Sequence, residues 1–496
     1  MGGDKMKYEY DLTNYDANSE FFYIMEKYIL PLMGMVKDPQ EGFVELSKYN
    51  YEPKAKIDLF EGKLFFVSSL NSKYGFKIDV SKNFQINFLN VVRSVFEYIS
   101  KVTFNNFSNG AKRRHNNVKN ITDLDVLYKN AVQKGIIDWL FSSKKERVRA
   151  GFARFLDVME DWSKKTYEGK KVPYAFVISL DDNNNDGLFY LDFLQDEYSA
   201  TLSDGINSII ELDCNLNFLD YHSITKDNKY DECNLSTSVP YRFAQVITQY
   251  TGDKIGVFLL VSGDIFIVKN KKIELVKREG TWLNFNQEIF INILEAEFNI
   301  DNCLIESIYA TSLDVSFSHG GGIIAIVDDI NDLRKNNVYE YLENNYSMFS
   351  TKQNIDENMK IIPKSILDYI DDLTLDIPDL DKLKARYPLY FKNEKNKFEK
   401  RFTKRNIIIK LLSGKKFFNL DRKLRTELVS MDGATILNKK GDILAVGAII
   451  QNESGSYGGG RGAAAKRLSK YGMAIKISTD GYIEVYINEN LKYKIK

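Results

Sequence analysis

The sequence predicts a mixed α/β protein of the α+β kind. A mostly helical N-terminal part leads to a β-rich middle segment, and a C-terminal mixed β-sheet flanked by helices follows. Three observations carry this expectation. Apolar residues recur at helical spacing before about residue 170, and short β-branched and aromatic blocks separated by turn residues take over from Val172. The last third then alternates strands with a Gly-rich loop and a helix. At 496 residues, 44% hydrophobic and 27% charged with only 8 Pro, the chain can bury a large core. We divide it into a mainly helical region 1–170, a regulatory or sensor-like α/β region 171–299, and a domain 300–496 with a helical insertion at about 331–406.

The N-terminal elements are SEFFYIMEKYILPLMGMV, with Pro31 close to a break, NFQINFLNVVRSVFEYISKV, and the amphipathic KKERVRAGFARFLDVMEDWSKK. Between the last two, AKRRHNN (111–117) is a short basic run with no aromatic company, more in keeping with a solvated loop than with a phosphate contact. VPYAFVISL reads as a strand. The following DDNNNDG (181–187) imitates the opening of a calcium loop through Asp182, Asn184, Asp186 and Gly187. Its twelfth position is Phe193 rather than a bidentate Glu, so a polar turn is preferred. KIGVFLLVSGDIFIVKNKKIELVKREGTWLNF, cut by SGD, NKK and EGT, predicts an antiparallel meander in which Asp264 sits in a turn without a chemical role. IESIYATSLDVSFSHGGGIIAIVDDI predicts a helix, the glycine run Gly320–Gly322 and a buried strand.

Charge and cysteine content narrow the function classes. Lys+Arg and Asp+Glu balance at 68 each, so the basic excess of a duplex-binding protein is missing, and no aromatic stripe alternates with Lys/Arg as a base-stacking platform requires. Nucleic acid is therefore not indicated. Cys214, Cys233 and Cys303 have no CxxC spacing, which fits a reducing compartment. The polar start lacks the apolar core of a signal peptide, and no window approaches the ~20 apolar residues of a membrane span. The expectation is a soluble, cytoplasmic protein.

Chemistry concentrates near the C-terminus. After the predicted helix KLRTELVS, Asp432-Gly433-Ala434 opens the strand ATIL, which pairs with ILAVGAII across the turn NKKGD. The loop SGSYGGGRG then leads into the helix AAAKRLSKYG, closed by Gly472 as a left-handed cap, and MAIKIS, TDG and YIEVYI form a second hairpin. Gly458-Gly459-Gly460-Arg461-Gly462 stands before a helix N-terminus, where orphan N–H groups and the dipole favour an anion and Arg461 could clamp it. A GGG run is by itself more often a flexible connector. A carboxylate such as Asp432 near bound phosphates is what a Mg²⁺ ion needs. A helix-ending turn is the plainer reading of Asp-Gly alone.

In their order, these features resemble the nucleotide-binding catalytic domain of the diadenylate cyclase family, over Ser430 to Tyr486 and, through SFSHGGGIIAIV, over about the last third of the chain. The resemblance implies that Asp432 binds a Mg²⁺ or Mn²⁺ ion and helps activate a ribose 3′-hydroxyl. It places Gly433, Ala434, Gly459, Gly460, Gly462 and Ser478 on the nucleotide, Arg461 on the phosphates, and Asp480 as a second acid near the metal. The family's Arg-His-Arg becomes Arg461, Gly462 and Ala463, and its Ser-Glu-Glu becomes Ser478, Thr479 and Asp480. Each lost charge-assisted contact forfeits about 1.5–3 kcal/mol of ground-state interaction. The implied activity is condensation of ATP, or another nucleotide, into a cyclic dinucleotide by a homo-oligomer with facing C-terminal domains. A catalytically degenerate, nucleotide-sensing module is the alternative. His319, beside the glycine run, is read as a structural histidine, while His115 and His222 have no Cys or acidic partner at ligand spacing.

Overall fold

The computed structural model describes residues 17–33, 42–49, 56–60, 63–68, 73–79, 86–108, 121–166, 168–181, 202–224, 238–285, 287, 290–291, 294–295, 300–328, 411–412, 414–450 and 459–495. The expected insertion at 331–406, the AKRRHNN run, the Asp182–Gly187 turn, Cys233 and Gly458 lie outside the described residues. Two compact units emerge: Met1–Ser236 with Arg242–Ile289 and Ile495–Lys496, and Thr237–Tyr241 with Phe290–Lys494. The fold is mixed α/β, with three sheets among the described residues. Among the described residues no helix is long and apolar enough to cross a membrane.

In the first unit the expected boundary near residue 170 is not a core boundary. One apolar cluster runs from Phe21 through Phe155 and Phe176 to Trp282. The amphipathic helix Glu146–Lys164 supplies Phe152, Phe155, Met159 and Trp162, all buried. Phe155 meets Phe176 edge to face at 5.3 Å, so helix and sheet share an interior.

The N-terminal region is also less helical than expected. Between the helices Ala17–Ile24 and Ile86–Ser108, strands β1 (Phe43–Glu45), β2 (Ile57–Phe60), β3 (Lys63–Val67) and β4 (Tyr74–Asp79) form an antiparallel sheet of order β1-β4-β3-β2. Leu64, Phe65 and Phe66 are successive and all buried. A strand covered on both faces loses the alternation that betrays a half-exposed one. The helix Ile121–Leu140 is a further element absent from the sequence reading. At its Gly135, a Cβ would lie 2.4 Å from Val95 Cα, so the glycine lets two helices meet backbone to backbone.

The predicted meander is present. Strands β5 (Tyr174–Ile178), β6 (Ser208–Leu212), β7 (Phe218–Ser223), β8 (Ile255–Leu259), β9 (Ile265–Lys269), β10 (Lys272–Arg278) and β11 (Thr281–Asn284) make a sheet of order β11-β10-β9-β8-β5-β6-β7. Among the described strands of this sheet, only β5 and β6 pair in parallel. The turn residue Asp264 is buried and ion-paired to the equally buried Arg278 at 2.8 Å. His222 does have an acidic partner, Glu211 at 2.9 Å, because β6 and β7 bring together residues that sequence spacing keeps apart.

The second unit is the predicted mixed sheet flanked by helices. Strands β12 (Gly322–Val327), β13 (Ala434–Leu437), β14 (Ile443–Ala448), β15 (Gly472–Ile477), β16 (Ile483–Ile487) and β17 (Asn490–Ile495) stand in the order β14-β13-β12-β15-β16-β17. β12 and β13 run parallel, while β13/β14, β12/β15 and β15/β16 are antiparallel. One face carries Ile323, Ala325, Ala434, Ile436 and Ala474 against the helix Gly459–Leu468. On the opposite face a Cβ at Gly322 would lie 2.4 Å from the Val429 carbonyl oxygen, which seats the end of the helix Arg422–Val429 there. The sheet is thus the middle of three layers. Gly472 is not the left-handed cap expected of it. Its φ of 153° with ψ of −116° belongs to a strand start, and a Cβ would sit 2.1 Å from the Ile326 carbonyl oxygen.

A buried ion pair anchors this unit. Arg422 at the start of its helix grips Asp314 of the helix Asn302–Phe317 through Nε at 2.7 Å and Nη2 at 3.0 Å, and the Tyr241 N–H adds a bond at 2.7 Å. Burial pushes the Asp314 carboxyl up, against the pull of Arg422 and those donors. Asp314→Leu is expected to cost the second unit about 3–5 kcal/mol by stranding a buried guanidinium, and Asp314→Leu with Arg422→Met much less. Urea unfolding of the two variants measures the difference.

Candidate functional site

The sheet pairing decides which loops meet. Because β12 and β13 are parallel, with Ile324 opposite Thr435, both strands begin at one end of the sheet. β15 is antiparallel to β12 with Gly322 opposite Ile477, and β14 ends opposite Ala434, so their C-terminal ends lie at that same end. The glycine run, the Ser430–Gly433 segment, the start of the Gly459–Leu468 helix and the Ser478–Gly481 turn therefore share one rim.

The glycine run is where the predicted residues come together. The helix Asn302–Phe317 ends in a Schellman motif, with Gly320 N–H bonded to Val315 O at 3.0 Å and His319 N–H to Ser316 O at 3.1 Å. His319 occupies the left-handed position, φ 51°, which glycine normally fills. Its ring Nδ1–H donates to the Thr479 carbonyl at 3.1 Å, tying this loop to the 478–481 turn. The structural role expected of His319 is thereby met at that nitrogen.

Gly321 carries the Arg461 guanidinium directly on its backbone. A Cβ there would lie 2.1 Å from Arg461 Nη1 and 2.4 Å from Cζ. The first turn of the helix aims the side chain: Arg461, Ala464, Ala465 and Leu468 share one stripe, and the last three are buried on the sheet. Arg461 is half-buried and has no ion-pair or hydrogen-bond partner among the described residues. On its other side the run meets the Asp432 segment, where a Cβ at Gly320 would be 3.3 Å from Ser430 Oγ.

Asp432 is exposed, and its carboxylate likewise has no partner among the described residues. Gly433 has a structural duty. Its φ is 98°, and a Cβ would lie 2.4 Å from the Gly447 carbonyl carbon across the β13/β14 pair. Gly447, at φ 66°, sits where the register of that pair slips, which turns both Ala445 and Ala448 toward the helix. Ala434 is buried in the same layer. The glycine and alanine of Asp-Gly-Ala thus build the strand junction and leave the carboxylate as the group facing solvent.

At the opposite side of the rim, Ser478 Oγ accepts from Tyr482 N–H at 3.0 Å, and Gly481 N–H bonds Ser478 O at 2.9 Å. This closes a tight turn that leaves Asp480 exposed. Gly460 is exposed with open space around it, and Gly462 faces Lys476, whose Nζ would be 3.8 Å from a Cβ at that glycine.

Sequence reasoning missed Lys476 and its acid. Lys476 pairs with Glu484 at 2.9 Å on the neighbouring strand. Glu484 is buried and also accepts from Lys494 at 2.6 Å and from the Tyr486 hydroxyl at 2.8 Å. Burial works to raise the Glu484 carboxyl, but hydrogen bonds from Lys494 and Lys476 prevail and hold it at about 2. The signal was an acidic residue inside an otherwise apolar strand, YIEVYI.

The arrangement suits an anion held by Arg461 and by the N–H groups of the first helical turn, with Asp432 and Asp480 on the same rim as oxygen ligands. Among the described residues no group of three or more His, Cys, Asp or Glu side chains is placed to hold a metal ion by itself. With these carboxylates alone, a hard cation such as Mg²⁺ would need the oxygens of a ligand to complete its shell. Compared with protein-family models, with curated proteins and with solved structures, the chain matches none.

Two outcomes are expected. Gly433→Ala should lower stability by at least about 1–3 kcal/mol through backbone strain, whereas Gly460→Ala, in open space within a helix, should raise it by about 0.4–1 kcal/mol. Melting temperatures distinguish them. Glu484 has a folded pKa of about 2, below its ordinary 4.5, so its contribution is complete above the unfolded value and is lost as pH falls from about 5 through 2. Glu484→Gln should show a flatter loss of stability over that window in acid titrations of the melting temperature.

Proposed function

We propose that the second unit is a nucleotidyltransferase of the diadenylate cyclase type, which binds ATP at the rim and condenses two nucleotides into a cyclic dinucleotide. The observation that carries this reading is the meeting of three elements at the glycine run. Arg461 lies on Gly321, and Ser430, two residues before Asp432, lies against Gly320. Arg461 and the first-turn N–H groups would hold the phosphates, and the exposed Asp432 would accept a proton or a metal ion near the ribose. A Mg²⁺ or Mn²⁺ ion, when bound by Asp432 with help from Asp480, supplies charge neutralisation at the reacting phosphate. A ribose 3′-oxygen attacks the α-phosphorus of the other nucleotide, the new P–O bond forms, and pyrophosphate leaves with the electrons of the broken bond. Two such steps close the ring. One rim serves one nucleotide, so the reaction calls for two copies of the chain with rims facing.

A second reading is a nucleotide sensor without turnover. Gly462 and Ala463 favour it, since they stand where the resemblance calls for a His and an Arg that would steady the developing charge.

Incubation of the purified protein with ATP and Mn²⁺, with product analysis by mass spectrometry, decides between the two. A linear or cyclic dinucleotide is expected, and Asp432→Asn should abolish its formation while leaving the melting temperature within about 2 °C, as for a surface change. Tight ATP binding without product would select the sensor. Absence of binding to any adenine or guanine nucleotide would overturn both.

A further inference from the structure

The first turn of the Gly459–Leu468 helix is charged the wrong way for a helix left to itself. A helix N-terminus is positive, and acids there are stabilising. Here the first turn contains no acidic residue, and Arg461 is its third residue. A second cation approaches from the sheet. Lys476 Nζ lies 3.8 Å from where a Cβ on Gly462 would stand, and that glycine interposes no side chain between the ammonium and the helix backbone. Lys476 is only 17% exposed, so its charge is partly desolvated. Glu484 takes one of its three N–H donors, but Glu484 is shared with Lys494, and two ammonium groups against one carboxylate leave a net positive charge. The ammonium and the positive end of the helix thus carry like charge, a juxtaposition that an anion between them relieves.

We infer that Lys476 is a phosphate-contacting residue of this site. It would supply, from strand β15, the positive charge that Gly462 and Ala463 do not, and it would grip the polyphosphate of a nucleoside triphosphate together with Arg461. Glu484 is then a positioning residue, which holds the ammonium beside the helix. The inference rests on the nucleotide reading above and names a residue that the motif resemblance does not.

Calorimetric titration of the full chain with ATP and Mn²⁺, and separately with adenosine, tests it. Lys476→Met is expected to weaken ATP binding by about tenfold or more while adenosine affinity stays within about twofold, and Lys476→Arg should retain most of the ATP affinity. If the wild type binds ATP and Lys476→Met binds it equally well, Lys476 is not a phosphate ligand, and the nucleotide reading stands without it. If the wild type binds neither ligand, that reading fails and the inference falls with it. Should Lys476→Met not fold, the wild type alone decides. ATP must protect Lys476 from reductive methylation while leaving Lys440, an exposed lysine of the β13/β14 hairpin, unprotected, and equal labelling of both with and without ATP overturns the assignment.

Discussion

The parallel pairing of β12 with β13 governs the second unit. Parallel neighbours begin at the same end of a sheet, and in this register Gly322 and Gly433 stand two residues before the paired Ile324 and Thr435. Two loops that are far apart in the chain, the glycine run and the Asp432 segment, are thereby forced side by side. Antiparallel neighbours on both flanks then return their C-terminal ends to the same place, which adds the Gly459–Leu468 helix and the 478–481 turn. Had β13 run the other way, Asp432 would lie at the opposite end of the sheet from Arg461.

Close approach is what the small residues provide. The face beneath the Gly459–Leu468 helix is lined by Ala325, Ala434, Ala445, Ala448 and Ala474, and the helix answers with Ala464 and Ala465. Larger side chains on either surface would lift the helix, and the guanidinium of Arg461 could no longer rest on the Gly321 backbone. The slipped register at Gly447 serves the same end by turning two alanines of one strand to one side. Packing at this interface therefore decides the geometry of the charged rim.

Buried charge holds the frame around it. The Asp314–Arg422 pair ties two helices on one face of the sheet, and Glu484 ties β15, β16 and the Lys494 of β17 on the other. Both acids are satisfied by several donors, the condition under which burying an ionised carboxylate is tolerated. The charged groups at the rim contrast with them. Asp432, Asp480 and Arg461 have no charged partner among the described residues, so the unit neutralises its structural acids and leaves its exposed ones available.

Much of the C-terminal architecture was legible in the residues. The helix before Asp432, the NKKGD hairpin, the AAAKRL helix and the TDG hairpin are local signals, each read from a handful of neighbouring residues and each present in the structure. The AAAKRL helix begins earlier than expected, at Gly459, so that Gly459 to Gly462 form its first turn rather than a loop before it. Both-face-buried strands such as LFF, the shared core that joins residues before and after 170, and the strand start at Gly472 were not legible, because burial and backbone contact across the chain decide them. The same division holds at the rim. Residue types and turn chemistry by themselves determined that an acid, an arginine and three glycines would stand at the ends of regular elements. Only the tertiary structure decided that Arg461 lies on Gly321, that Glu211 pairs with His222 and that Lys476 comes up beside Gly462, since strand register alone sets which side chains meet across a sheet.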